Sequence, residues 1–271
     1  MKYLAIVIAV LGLGIVTLFF VNSSDADATG AAATVEEPFV ATASPTQIAH
    51  YTFDEAGGAV INDAAGFNHG GASGKYLREK GVQGNAIVLE EAQIEISDQP
   101  QLNYGLNSYS LSVWVNFEND SSIWIDKRDF QNQPKVVEGK FGGTFDHYVP
   151  LAGYSLWITE HETDGTFINF FINQVDAEFK LQTHLADKNA LNDSQWHQIV
   201  ITVDPGKTDG LIAYVDGVAI AQEDLSDLTQ PYDSTSPMFM YGRGEIVVDE
   251  ISFFDQALSA SQVADRFAAQ K

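Results

Sequence analysis

The stretch Tyr109-Ser110-Leu111-Ser112-Val113-Trp114-Val115-Asn116-Phe117 has an apolar residue at every odd position and mostly polar residues between them. Successive side chains of a β-strand point to opposite faces of a sheet, so this alternation predicts a strand with one buried face. Similar runs of strand length recur along the chain. They span residues 48–53, 86–96, 154–159, 167–173, 178–185, 196–204, 211–215, 238–241 and 245–254.

Turn residues separate several of these runs, and Asp216-Gly217 between Val215 and Val218 is a strong hairpin signal. Many short strands without intervening helices predict an all-β, antiparallel jelly-roll β-sandwich. One short helix is expected at the C-terminus, where Ser259 and Gln262 have the spacing of a capping box. We expect this helix to pack against the sandwich.

Composition narrows the functional classes. The chain carries 37 Asp and Glu against 14 Lys and Arg, a formal charge of −23, and it has no cysteine. Nucleic acid is excluded as a partner, because binding to phosphates requires a positive surface. The lack of cysteine rules out disulfides and thiolate chemistry. The excess of carboxylates suits a soluble surface protein and also supplies oxygen ligands for calcium.

The first residues predict export. Residues 3–21 are almost wholly apolar, about the length of a bilayer span, with Lys2 before them and Asp25 and Asp27 after them. We expect residues 1–21 to be a membrane anchor or a cleaved signal helix, with the rest of the chain extracytoplasmic. Residues 22–46, rich in Ala, Ser and Thr, are expected to be a flexible stalk before a single domain at 47–271.

In order, the strand segments resemble the laminin-G-like or concanavalin A-like jelly-roll family of bacterial surface modules. The resemblance rests on residues 50–55 (HYTFDE), 108–115 (SYSLSVWV), 153–158 (GYSLWI), 196–204 (WHQIVITVD), 214–217 (YVDG) and 248–251 (VDEI). Residues 118–150 have no counterpart in the family pattern. We expect them to be a long insertion that could carry binding specificity.

Calcium is the metal that the resemblance implies. Asp249 alternates with Val247, Ile251 and Phe253, which predicts a carboxylate facing an apolar layer. Related sandwiches hold a structural calcium near this position, which makes Asp249 the expected ligand. The possible helpers are Asp54, Asp63 and Asn68. The alternative is that Asp249 accepts backbone hydrogen bonds or pairs with Arg243.

The sequence contains only weak indications of a catalytic site. Glu160, Glu162 and Asp164 alternate, as acids do in some glycoside hydrolases, but they precede Gly165 and are better interpreted as a solvated hairpin turn. The six histidines show no zinc-binding spacing. We therefore expect no enzymatic activity.

Aromatic residues outside the apolar alternation are candidates for stacking against sugar rings. The expected ligand-binding residues are Trp124, Tyr148 and Trp157, and Tyr154 and Tyr232 are also expected to be exposed. For Trp157, core packing remains the alternative.

These patterns predict a non-catalytic extracytoplasmic recognition module for carbohydrate or a surface partner, with calcium as a stabilising ion. The alternatives are a structural or accessory subunit of an envelope assembly or surface filament, and, less favoured, a polysaccharide hydrolase or lyase.

Overall fold

The computed structural model describes residues 44–66, 68–117, 121–130, 135–138, 144–147, 150–161, 164–174, 177–185 and 191–271. The predicted anchor or signal helix at 1–21 and nearly all of the predicted stalk lie outside the described residues, as do Tyr148 and Glu162. Across the described ranges, no helix is long and apolar enough to cross a membrane.

The described part is an antiparallel β structure of sixteen strands. They are β1 Gln47–Tyr51, β2 Val60–Ile61, β3 Gly70–Lys80, β4 Asn85–Ile96, β5 Tyr109–Phe117, β6 Ser122–Phe130, β7 Lys135–Glu138, β8 Thr144–His147, β9 Pro150–His161, β10 Gly165–Gln174, β11 Ala177–Leu185, β12 His197–Val203, β13 Leu211–Val215, β14 Val218–Glu223, β15 Met238–Arg243 and β16 Ile246–Phe254. One helix, α1, spans Ala260–Gln270.

Fourteen of these strands form one hydrogen-bonded sheet, and β7 pairs only with β8. The order along the sheet is β11, β10, β9, β6, β15, β4, β16, β5, β12, β13 and β14, with β1 beside β16, β3 beside β4 and β2 beside β3. The two ends of this path come close together, because β11 lies against β14. The sheet therefore curls like a barrel around its core.

The core lies inside this curled sheet. In β5 the odd positions predicted to be apolar and inward, such as Leu111, Val113 and Val115, are fully buried in the main cluster. A second, smaller cluster lies on the outer side, where Val263 of α1 packs with Leu258 and residues of the sheet. Burial of apolar surface on both sides of β5, β12 and β16 explains why these central strands tolerate almost no exposed residue.

The all-β antiparallel fold and the C-terminal helix are confirmed. At the start of α1 the Ser259 Oγ accepts from the Gln262 backbone N–H, and the Gln262 side chain accepts from the Ser259 N–H at 2.8 Å. This is the reciprocal capping box that the sequence indicates. Asp216 and Gly217 have φ values of 50° and 80°, as a tight hairpin between β13 and β14 requires.

For residues 122–130 the expectation of a long insertion is wrong. This stretch is β6, an interior strand between β9 and β15. Ile123 and Ile125 are buried in the core, and Lys127 is fully buried after them. The Lys127 Nζ donates to Asp98 at 2.7 Å and to two backbone carbonyls. Because the charged Lys127 occupies an inward position, it interrupts the apolar alternation, and the sequence pattern did not predict β6.

Candidate functional site

Three neighbouring strands present a row of aromatic rings on the outer face of the sheet. Tyr241 of β15 lies directly opposite Trp124 of β6, and Trp124 lies opposite Trp157 of β9. The two indole rings are 5.4 Å apart between centroids and meet edge to face at 73°. Trp124 keeps 43% of its surface exposed although its strand is interior. Rigid hydrogen-bonded strands therefore hold a partly open aromatic surface.

These rings line a groove of about 660 Å³. Its lining residues are Ser122, Trp124, Asp126, Trp157, Thr159, Tyr241, Gly242 and Arg243. The row continues across β10 and β11 with Asn169 and Gln182, whose side chains hydrogen-bond to each other at 2.9 Å. The groove has the size and the mixed apolar and polar lining of a small-ligand site.

Some charged and polar groups in the groove have hydrogen-bond partners, and others do not. Asp126 accepts two hydrogen bonds from the Arg128 guanidinium, at 2.8 and 2.6 Å, and this pair is neutralised. The Trp157 Nε1 and the Thr159 Oγ1 are shielded from water and have no hydrogen-bond partner among the described residues. Arg243 is exposed at the groove edge.

The structure brings together two of the three predicted ligand-binding residues, Trp124 and Trp157. The expectation that Tyr154 and Tyr232 are exposed is wrong, because both are almost wholly buried. Tyr154 packs against other tyrosines inside the sheet. Tyr241 is a groove residue that the sequence analysis missed, since only the pairing of β15 with β6, distant in sequence, places it beside Trp124.

Asp249 is fully buried, as predicted, but on a different side of the sheet. The pairing of β16 with β5 contains an extra residue between Asp249 and Ser252, where Glu250 has a φ of 50°. Such a bulge reverses the alternation. The side chain of Asp249 therefore lies on the same face of the sheet as Val247, whereas Ile251 faces the main core.

Burial raises the pKa of Asp249 to about 7, although backbone N–H groups of Gln83 and Glu250 donate to its two oxygens. Of the two alternatives given for Asp249, the backbone hydrogen bonds are therefore present. Arg243, the other suggested partner, lies in the groove. A buried carboxylate with only backbone donors is the kind of group that a cation would stabilise.

Asp54 faces the same turn as Asp249. Its Oδ1 accepts from the Asn85 N–H at 2.7 Å, and Gly84, with a φ of 53°, lies so close that a Cβ there would collide with the carboxylate. Two carboxylates and a tight backbone turn fit part of the oxygen shell of calcium, which accepts carbonyl ligands too. Across the described residues, no three His, Asp or Glu side chains converge as a metal site.

Asp63 and Asn68, the other two predicted helpers, are joined in a separate network. Asp63 accepts four hydrogen bonds, from the backbone of His50, Ala65 and Asn68 and from the Asn68 side chain. The Asn68 amide also donates to the Ile48 carbonyl. This network ties the 62–69 loop to β1, and Asp63 needs no cation to satisfy its oxygens.

The predicted hairpin at Asp164-Gly165 forms between β9 and β10. Glu160, however, is not solvated: it is 1% exposed, and the Thr166 hydroxyl donates to its carboxylate. The sequence pattern did not show this, because acids next to a turn are typical of a surface, whereas β9 continues two residues past the predicted end at Thr159.

Three comparisons place the chain among known proteins. Residues 90–264 match the profile of the concanavalin A-like lectin/glucanases superfamily, of laminin-G type. The non-toxic nonhemagglutinin type E of Clostridium botulinum is 20% identical over 226 residues, which cover 81% of this chain and 17% of that protein.

Solved structures with a similar fold include two toxin binding domains. That of Paraclostridial mosquitocidal protein 1 has a TM-score of 0.60 at 15% identity. That of botulinum neurotoxin DC, solved with rat synaptotagmin II, has a TM-score of 0.61 at 14% identity. Each match covers 83% of this chain and 52% of the other. Because the family profile matches well over half of the chain, the resemblance seen in the sequence is confirmed, and the chain belongs to the concanavalin A-like lectin/glucanases superfamily.

Proposed function

We propose that this chain is a non-catalytic recognition module that binds carbohydrate in the groove of β6, β9 and β15. The observation that carries the proposal is the exposed indole of Trp124, set against Trp157 and Tyr241 on rigid strands. Sugar rings have apolar faces that stack on such rings, and burying them gives most of the affinity at a site of this kind.

The toxin domains of similar fold agree with a binding role. One is described in complex with a synaptotagmin, one in complex with SialylT, and neurotoxin type C is described as depending on two ganglioside molecules for cell entry. Those ligands belong to whole domains of which this chain spans about half. The site proposed for this chain therefore rests on its own groove.

The arrangement of acids supports binding without turnover. Hydrolysis by two carboxylates needs a pair facing each other across the sugar, with one of them protonated. Asp126 is the one carboxylate lining the groove among the described residues, and Arg128 holds both of its oxygens. Glu160 is buried and bound by Thr166.

A glycan array probed with the purified protein tests this proposal, with reducing-end release from the same glycans measured in parallel. We expect saturable binding to a restricted set of glycans and no release of new ends. Release that disappears in Glu160→Gln would overturn the non-catalytic proposal. An array without any bound glycan, beside a pulldown dominated by one envelope protein, would assign the chain to the structural alternative.

Two further parts of the proposal concern setting and stability. The apolar stretch at residues 3–21, after Lys2 and before Asp25, supports an extracytoplasmic domain held to or released from a membrane. Protease added to spheroplasts should then digest the chain, and full protection would contradict the extracytoplasmic location.

Asp249 and Asp54, with carbonyls of the 81–85 turn, would hold a structural calcium ion.

A further inference from the structure

The groove combines one unpaired cation with hydrogen-bond donors, and this combination favours an acidic ligand. We propose that the groove selects sugars that carry a carboxylate, such as uronic acids, over neutral sugars. This inference rests on the proposed carbohydrate-binding function and adds the class of sugar.

Arg243 supplies the charge. It closes β15 opposite Ser122 of β6, is exposed, and lines the groove. Within the described ranges it has no Asp or Glu within ion-pair distance, although the chain carries 37 such residues. An arginine with no carboxylate partner, at the edge of an aromatic groove, keeps its planar set of donors free for a ligand carboxylate.

The acid in the groove does not oppose this charge. Asp126 is held by both ends of the Arg128 guanidinium, so its oxygens are already engaged and its charge is compensated. Arg243 is therefore the one uncompensated charge among the described groove residues. Burial and, after it, the charges of Asp126 and Glu95 raise the pKa of Tyr241, so the carboxylate preference depends on direct contact with Arg243 and not on a positive field across the groove.

The remaining unpaired atoms are also donors. The Trp157 Nε1–H can only donate, and the Thr159 hydroxyl, in a residue 9% exposed, also has no partner in the part of the chain that the structure describes. Leaving buried donors unpaired is unfavourable in the free protein. Both atoms are shielded from water, so a ligand would reach them only after a side-chain movement, and the selection of a carboxylate depends on the charge-assisted bonds that the exposed Arg243 donates.

Long-range repulsion by the acidic chain does not cancel the local preference. At physiological ionic strength, exposed charges more than about 8 Å away are largely screened. Glu95 on β4, paired with Phe239, is an exposed acid near Tyr241, so the expected preference depends on a carboxylate bound directly by Arg243 and is to be measured at that ionic strength.

The test compares matched ligands: galacturonate and glucuronate oligosaccharides and their methyl esters, which differ only in the masked carboxylate. Calorimetry with the wild-type protein should give an affinity for the acid about tenfold or more above that for the ester. Arg243→Gln should remove that difference by lowering the affinity for the acid to about that for the ester. Lys207→Gln, which removes a surface charge in the loop after β12, should leave both affinities unchanged.

The outcomes separate this inference from the function beneath it. Equal binding of acid and ester, or an Arg243→Gln variant that still prefers the acid, overturns the carboxylate selection while carbohydrate binding stands. Loss of ester binding in Arg243→Gln, at an unchanged melting temperature, also overturns it, because the arginine would then hold a part shared by both sugars. If neither ligand binds and the glycan array is empty, both proposals fall together.

Discussion

Trp124 exposes 43% of its surface from an interior strand, while its neighbours Ile123 and Ile125 are fully buried. Single exposed apolar residues are common, but Trp124 adjoins Trp157 and Tyr241 on neighbouring strands, and apolar surface grouped in this way marks a candidate binding site. Its edge-to-face contact with Trp157 fixes the ring without covering it. Trp124 is therefore the residue on which ligand affinity should depend most.

We expect Trp124→Ala to weaken carbohydrate binding by about 1–2 kcal/mol, since it removes one stacking surface and leaves the strand intact. Titration calorimetry with the glycan selected on the array measures this. Val218→Ala is the control, because Val218 is also an exposed apolar residue, 65% against 43% for Trp124, but lies at the β13–β14 hairpin. If wild type and Trp124→Ala bind the glycan with equal affinity, Trp124 does not contribute to the binding site.

Single residues were predicted from the sequence only where local pattern decides their position. Trp124 is predicted to be exposed, Trp157 to be either a binding residue or part of the core, and Asp249 to be a buried acid. Tyr154 and Tyr232 were placed wrongly, because burial of a tyrosine depends on neighbours far away in the sequence. Tyr241 was missed for the same reason: its place in the groove follows from the β15–β6 register.

Among the structural elements, β12 is tied to its surroundings by His197. The imidazole Nδ1 lies 2.8 Å from Asp216 in the β13–β14 hairpin, and Nε2 lies 3.0 Å from Asp193. Burial lowers the pKa of His197, but the two carboxylates outweigh it, and the pKa is raised above the ordinary 6.5. The protonated ring donates to both acids.

This pair of contacts predicts a pH-dependent contribution to stability. The folded-state pKa is raised, so the contribution is complete below about pH 6.5 and is lost as pH rises through the folded value. Denaturant unfolding should show His197→Gln less stable than wild type by about 1–2 kcal/mol at pH 5.5, with a smaller gap at pH 9. A gap independent of pH would mean that the ring packs as a neutral group.

Strands were predicted where alternation is regular and missed where charge or glycine interrupts it. β5 and β13 have the predicted bounds. β6 was missed because Lys127 occupies an inward position, and β3 because it is rich in glycine and lysine and mostly exposed. The bulge in β16 reversed the side assigned to Asp249, and no local pattern indicates a bulge there.

The curled sheet as a unit brings the turn after β3 against Asp249 of β16, and calcium at this junction would join distant parts of the chain. Binding restricted to the folded state raises stability by mass action. We expect the melting temperature to rise by about 5–10 °C at calcium concentrations ~100-fold above Kd. Asp249→Asn, which keeps the shape of the side chain, should abolish this response. Identical melting temperatures in chelator and in millimolar calcium would contradict calcium binding at this site.

The location of the ligand is open to one direct measurement, because the chain has four tryptophans and two of them line the groove. In ¹⁵N-labelled protein each indole N–H gives its own NMR signal. Titration with the glycan selected on the array should shift the signals of Trp124 and Trp157 and leave those of Trp114 and Trp196 in place, because Trp114 is buried against α1 and Trp196 packs against another cluster. Saturable binding that leaves the Trp124 and Trp157 signals unmoved would contradict the groove as the recognition site.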